Sequence, residues 1–254
     1  MAIVRLQHRR YAAGMDAGIV LQGVGYRLQD RVILQDITLD LAERRIGIIG
    51  RNGSGKTTLL RLMAGLVAPS DGKLRINGLD PAADRKAAIR QVGILFQNPD
   101  HQIIFPTVEE ELAFGLRQIG LTKAEAAGRV RNMMAAAGRA DWLGRPVQAL
   151  SQGQKQWLCL QAVLLMAPGT LLLDEPFAAL DLPAQIRLAR QLAALPQRVV
   201  TISHDPAAVS ECDRVIWLEA GRLRDDGPPD AVLPAFRVEM DRLGADDADA
   251  DLTH

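Results

Sequence analysis

The sequence predicts an α/β fold: a buried, mostly parallel sheet, an N-terminal antiparallel β subdomain ahead of it, and an α-helical subdomain inserted into it. Three observations carry that prediction. Short apolar runs rich in Ile, Val and Leu alternate with helical stretches in the second half of the chain. Close-set strands with tight turns open it. Residues 108–165 read as helix almost throughout, with breaks at Gly120, Gly138 and Pro146. With 254 residues the chain can bury one substantial core, so one domain with a subdomain is expected.

Residues 1–18 read as an N-terminal extension, basic but without the apolar run of a signal peptide. Strands at 19–26, 31–34 and 37–41, with turns at Gln29-Asp30 and Gln35-Asp36, form the small antiparallel sheet. The run 45–49 is apolar on both faces, as a strand buried in a parallel sheet requires. Residues 56–64 read as a helix closed near Gly65, followed by a turn at 69–72 and a strand at 73–76. A buried strand at 91–96 stops at Gln97-Asn98-Pro99, and the helical subdomain fills about 100–165. Strands at 170–173, 198–202 and 214–218 complete the sheet, separated by helical segments at 182–194 and 206–211. The domain so defined spans 19–228. Residues 229–254 add a short helix and an acidic tail, Asp246 to Asp251, which reads as a disordered end. There is no internal repeat.

Composition narrows the function classes. Lys plus Arg and Asp plus Glu are each 30, so no net field draws the chain to nucleic acid or anionic lipid. Cys159 and Cys212 have neither metal-ligand spacing nor a disulfide framework, which suits two packed thiols in a reducing compartment. The longest apolar stretch, 157–173, is interrupted by Gln161, Pro168 and Gly169 and does not span a bilayer. A cytoplasmic location is expected.

Between the strand at 45–49 and the helix at 56–64 lies Gly50-Arg51-Asn52-Gly53-Ser54-Gly55-Lys56-Thr57, the pattern G-x-x-x-x-G-K-[ST]. Glycines let backbone N–H groups turn inward around a β-phosphate, and the helix N-terminus adds about half a positive charge beneath it. Lys56 is placed to reach the β- and γ-phosphates, and Thr57 to bind Mg²⁺. With Thr58, these residues are the ATP-binding candidates, and the core is expected to be a P-loop NTPase (RecA-like) sheet.

Two acids, Asp174 and Glu175, follow the apolar run Leu171-Leu172-Leu173, at the carboxyl edge where open α/β sheets hold ligands. An isolated Asp-Glu pair is ordinarily a solvated turn. Downstream of a phosphate loop and after a buried strand, Asp174 reads as the Mg²⁺ ligand, largely through water, and Glu175 as the group that polarises the attacking water. His204, after Thr201-Ile202-Ser203, ends a neighbouring strand and is expected to donate to the γ-phosphate. Gln97, at another strand end before a loop, suits both Mg²⁺ and the attacking water.

The segment Leu150-Ser151-Gln152-Gly153-Gln154-Lys155 resembles the signature motif of the ATP-binding cassette (ABC) ATPases, commonly L-S-G-G-Q. With Gln97, Asp174, Glu175, Ala179-Leu180-Asp181 and His204, the resemblance runs in the family's order over about 19–228. It implies that Ser151, Gln152, Gly153 and Gln154 act across a dimer on the γ-phosphate held by a second copy or a paralogous ATPase. It also implies that Tyr26 stacks on adenine and that Asp181 is a dimer contact. Two departures stand out: Gln152 replaces the first glycine of the signature pair, and Trp157 stands where the family often has arginine.

Residues 96–105 and 107–115 resemble the region after the glutamine loop in energy-coupling factor (ECF) importers, which receives helices of the membrane subunit. Ile103, Ile104 and Phe105 would form that apolar patch. The resemblance implies an ATPase at the cytoplasmic face of the cell membrane. Its partners would be an integral-membrane coupling subunit and a substrate-binding membrane subunit, without nucleic acid. Cobalt or nickel, or a vitamin such as biotin, would be the solute, cobalt placed slightly first. The alternatives are a soluble ABC ATPase in a remodelling role and a nucleotide-regulated module without turnover.

Overall fold

The computed structural model describes residues 18–245. The extension up to residue 17 and the acidic run from Asp246 lie outside the described residues. β1 (Ile19–Leu28), β2 (Arg31–Leu41), β3 (Arg45–Ile49), α1 (Lys56–Met63) and β4 (Asp71–Ile76) form the first part. Next come α2 (Arg85–Gln91), β5 (Val92–Leu95), α3 (Val108–Gln118), α4 (Lys123–Ala136) and α5 (Gln152–Leu165). Then follow β6 (Thr170–Asp174), α6 (Leu182–Ala193), β7 (Arg198–Ser203), β8 (Arg214–Glu219), β9 (Arg222–Gly227) and α7 (Pro229–Ala245).

The strands make two sheets. The antiparallel one has the order β2-β1-β4, and the larger one β5-β6-β7-β3-β8-β9. All pairs of the larger sheet are parallel except β8 with β9. Parallel strands covered by helices on both faces need apolar residues on both, and β6 accordingly is buried at all five positions. The register decides where function can sit. Ile49 pairs with Ser203 and Ile202 with Asp174, so the carboxyl ends of β3, β7 and β6 are level along one edge.

Alternation along β6 supplies two cores. Leu172 points into the layer between the sheets, packed among Ile46, Ile48, Leu60, Met63 and Ile202, while Leu171 and Leu173 face Cys159, Leu160 and Val163 of α5 and Leu188 of α6. Both cysteines are free, and burial pushes each thiol up to about 12. Replacing Leu172, which is fully buried, with Ala is expected to cost about 2–5 kcal/mol of stability, measurable as a lower urea midpoint at unchanged slope.

Several elements differ from the sequence reading. The strands read at 31–34 and 37–41 are one strand, because Asp36 takes a left-handed φ of 54° and the pairing shifts without breaking. α2 and β9 go unread. The first is a short polar helix capped by Asp84, and the second is an edge strand whose charges are held by Arg214, bonded to both carboxylate oxygens of Asp226 at 2.6 Å. The segment read as helix at 206–211 is a 3₁₀ turn over Pro206–Val209. The short C-terminal helix is 17 residues long and continues through Pro234, anchored by Val232, Leu233 and Phe236 against Trp217.

Candidate active site

The phosphate loop leaves β3, the strand between β7 and β8, and enters α1. Glycine is required here for space as well as for rotation. A Cβ at Gly50 would stand 2.1 Å from the Leu218 carbonyl oxygen. Gly55, the N-cap of α1 at φ 101°, would drive one into Leu34. Arg51, Asn52 and Gly53 lie exposed on the rim, Ser54 is buried beneath it, and Thr58 is half-buried. Among the described residues the Ser54 hydroxyl has no hydrogen-bond partner, an orphaned polar group at the floor of the loop.

Lys56 is folded onto its own loop: Nζ donates to the Gly50 and Arg51 carbonyls at 2.6 and 2.9 Å. Burial pushes its pKa down, and only in part do Glu175, Asp174 and Glu219 push back. Thr57 Oγ1 lies 3.5 Å from Asp174 Oδ1. The Asp174 carboxyl is held above the usual carboxylate range, first by burial and then by the charge of Glu175. Two hard oxygen donors side by side, one of them a carboxylate short of positive charge, fit a Mg²⁺ ion whose other ligands are phosphate oxygens and water. Among the described residues no group of three or more His, Cys, Asp or Glu is gathered for a metal.

An acid with a raised folded pKa destabilises above that pKa, and the penalty fades as pH falls below the ordinary carboxylate value. Asp174→Asn is therefore expected to raise the melting temperature of the nucleotide-free chain in chelator, by about 2–4 °C for each 1 kcal/mol relieved. The gain belongs at neutral pH and is expected to vanish in acid.

Glu175 is the most restrained side chain of the edge. Ser203 Oγ donates to Oε2 at 2.9 Å, the His204 backbone N–H donates to Oε1 at 2.9 Å, and His204 Nδ1 lies 2.8 Å from the same oxygen. Its backbone has φ 47°, a left-handed conformation costly for a residue with a Cβ. His204 thus turns its ring onto Glu175. Ser203 is the partner that sequence reading missed; a hydroxyl beside a strand-end histidine was its one signal.

Tyr26 is half-buried on β1 opposite Leu34, the residue that backs Gly55, which puts it one strand pairing from the loop. Gln97 is exposed and lines a cleft of about 390 Å³ with Gln152, Gln156 and Ala178–Leu180. Asp181 caps α6, accepting from Ala184 N at 2.9 Å. Ser151 caps α5 in a reciprocal box with Gln154. Among the described residues the hydrogen bonds of Ser151, Gln152 and Gln154 stay within that cap or run to Asp100, and none reaches the phosphate loop of the same chain. Beside α5, Trp157 and Trp142 meet edge to face, and the Arg139 guanidinium lies 4.0 and 4.5 Å from their ring centres. Of the apolar patch, Ile104 is exposed, Ile103 packs inward and Phe105 stacks on Phe114. The buried Glu111 fixes this stretch by accepting the N–H groups of Ile104 and Phe105 at 2.9 Å each.

Residues 34–178, more than half the chain, match the family model described as ABC transporter. The chain is 53% identical over 211 residues to the biotin transport ATP-binding protein BioM of Rhodobacter capsulatus, covering 83% of this chain and 90% of that one. It is 37% identical over 226 residues to the energy-coupling factor transporter ATP-binding protein EcfA of Syntrophomonas wolfei, covering 86% and 82%. It superposes on cbiO1 from Clostridium perfringens, part of the ABC transporter complex cbiONQ. There the TM-score is 0.75 and the identity 29%, over 88% of this chain and 93% of that one.

Proposed function

Because this chain belongs to the ATP-binding proteins of ABC transporters and is an ABC-type ATPase, we propose that it powers an ECF-type importer whose solute is biotin. The observation that carries the reading is the 53% identity, over 83% of the chain, with a protein named for biotin transport. Similarity to EcfA and to cbiO1 supports the transporter class; cobalt or nickel, which the sequence resemblance placed slightly first, is the second solute to test. In this reading the solute path belongs to other subunits and this chain docks at the cytoplasmic face; among the described residues no helix is long and apolar enough to cross a membrane.

In this proposal two chains close around two ATP molecules. Gly50–Thr58 of one chain cradle the phosphates, and Ser151, Gly153 and Gln154 of the other approach the γ-phosphate. Tyr26 stacks on adenine and Asp181 lies at the dimer contact. Thr57, Asp174 and Gln97 would hold Mg²⁺, which when bound would neutralise charge on the phosphate oxygens. Glu175, aimed by Ser203 and His204, orients the attacking water and takes its proton.

Co-expression with the candidate membrane subunits and purification from detergent-solubilised membranes tests the assembly, and uptake of labelled biotin tests the solute. Uptake that depends on this chain and is lost with Lys56→Ala is expected. Uptake of cobalt or nickel in its place would move the solute. A chain recovered only from the soluble fraction, bound to no membrane protein, would favour the remodelling alternative.

A further inference from the structure

Signature replacement Gln152 has a structural counterpart 52 residues away. Gln152 Nε2 donates to Asp100 Oδ2 at 3.2 Å, and Lys155, one turn further along α5, places Nζ 2.6 Å from Asp100 Oδ1. Both oxygens of one carboxylate therefore grip the first turn of the helix that begins with the signature.

Asp100 itself sits three residues beyond Gln97, in a segment that is stiff on its own account. Asn98 caps the Asp100 N–H at 2.9 Å, and Gln102 folds back to bond the Phe96 N–H at 3.0 Å and the Ile94 carbonyl at 3.3 Å. One turn on, at Gln156, the same side of α5 is loosely held. Gln156, almost fully buried, reaches the Pro176 carbonyl only at 3.5 Å, and among the described residues its Oε1 has no hydrogen-bond partner. There the cleft of about 390 Å³ separates Gln97, Gln152 and Gln156 from Ala178–Leu180. The signature helix is therefore clasped at its first turn and faces a gap alongside it.

We propose that Asp100 is a positioning residue that joins the Gln97 segment to the start of α5, so that both turn as one body against Ala178–Leu180. Displacing residues 97–102 then carries Ser151 and Gly153 along, and closing the cleft offers the buried Gln156 oxygen a donor. This inference rests on the ATPase reading of the site for its consequence, though not for its geometry. A signature glycine has no side chain with which to make the Gln152 contact, so this chain links the two segments through a bond the common motif lacks.

The test uses the full chain and three variants: Asp100→Ala, Lys155→Asp and the charge swap Asp100→Lys/Lys155→Asp. Each single variant is expected to lower kcat for ATP about 5- to 20-fold while the Kd for ATP stays within about twofold, because the phosphate loop is untouched. The swap is expected to recover turnover to within about threefold of the parent. A role in folding alone would instead lower the melting temperature of the single variants, which the proposed role leaves near that of the parent. Hydrogen exchange gives a readout independent of turnover: in Asp100→Ala, peptides covering 97–102 and 151–155 exchange faster together, while α4 does not change. Full turnover in the single variants, no recovery in the swap, or faster exchange at one end only would overturn the proposal. A parent chain that releases no phosphate would count against the function proposed above, and exchange would then decide the clasp alone.

Discussion

Glu175→Gln is expected to cut steady-state phosphate release by at least about a hundredfold while leaving ATP binding within a few-fold of the parent, and to trap two chains as a closed dimer. The amide keeps the shape of the side chain. Of the two donors now 2.9 Å from the carboxylate oxygens, the His204 N–H keeps an acceptor in the amide oxygen and the Ser203 hydroxyl can turn to accept from the amide nitrogen, which itself accepts neither bond nor proton. Binding contacts belong to the phosphate loop, on a different strand, and stay intact. Phosphate release, equilibrium nucleotide binding and sedimentation with ATP measure the three parts. Full turnover by this variant would remove Glu175 from the role assigned to it.

Lys56→Ala acts on the other half of the site. Its ammonium is buried and already bonded to two loop carbonyls, so it is held at the loop rather than recruited from solvent. Losing a charge-assisted contact to phosphate costs about 1.5–3 kcal/mol, and affinity for ATP is expected to fall about 10- to 100-fold, read by titration of a fluorescent nucleotide. Circular dichroism of the variant should match the parent, because the side chain lies outside the apolar layers. Unchanged affinity would detach the loop from nucleotide binding.

The parts of this site that were legible in the sequence are those written in contiguous residues. A loop whose glycines, lysine and threonine must follow one another around a phosphate is fixed by covalent spacing, and β6 announces itself because both its faces are apolar. The phosphate loop, Asp174, Glu175 and His204 consequently meet at one edge, as the strand order requires. What escaped depends on distant partners or on exposed faces. Arg85–Gln91 and Arg222–Gly227 are polar elements at the surface, where apolar periodicity is weak. The Gln35-Asp36 pair has turn chemistry, but pairing with β1 on either side carries the strand through it. The bond from Gln152 to Asp100 joins residues that no local pattern connects.

The backbone at Glu175 carries a last implication. Left-handed conformations suit glycine and asparagine, so a sequence chosen for folding alone would place one of those after β6. The native residue there is the poorer choice for stability, held in place by three contacts from β7 and its exit. If Glu175 serves as proposed, evolution of hardier relatives has an easy route at this position that leads away from activity, and consensus or stability-guided redesign of such chains is best kept off it.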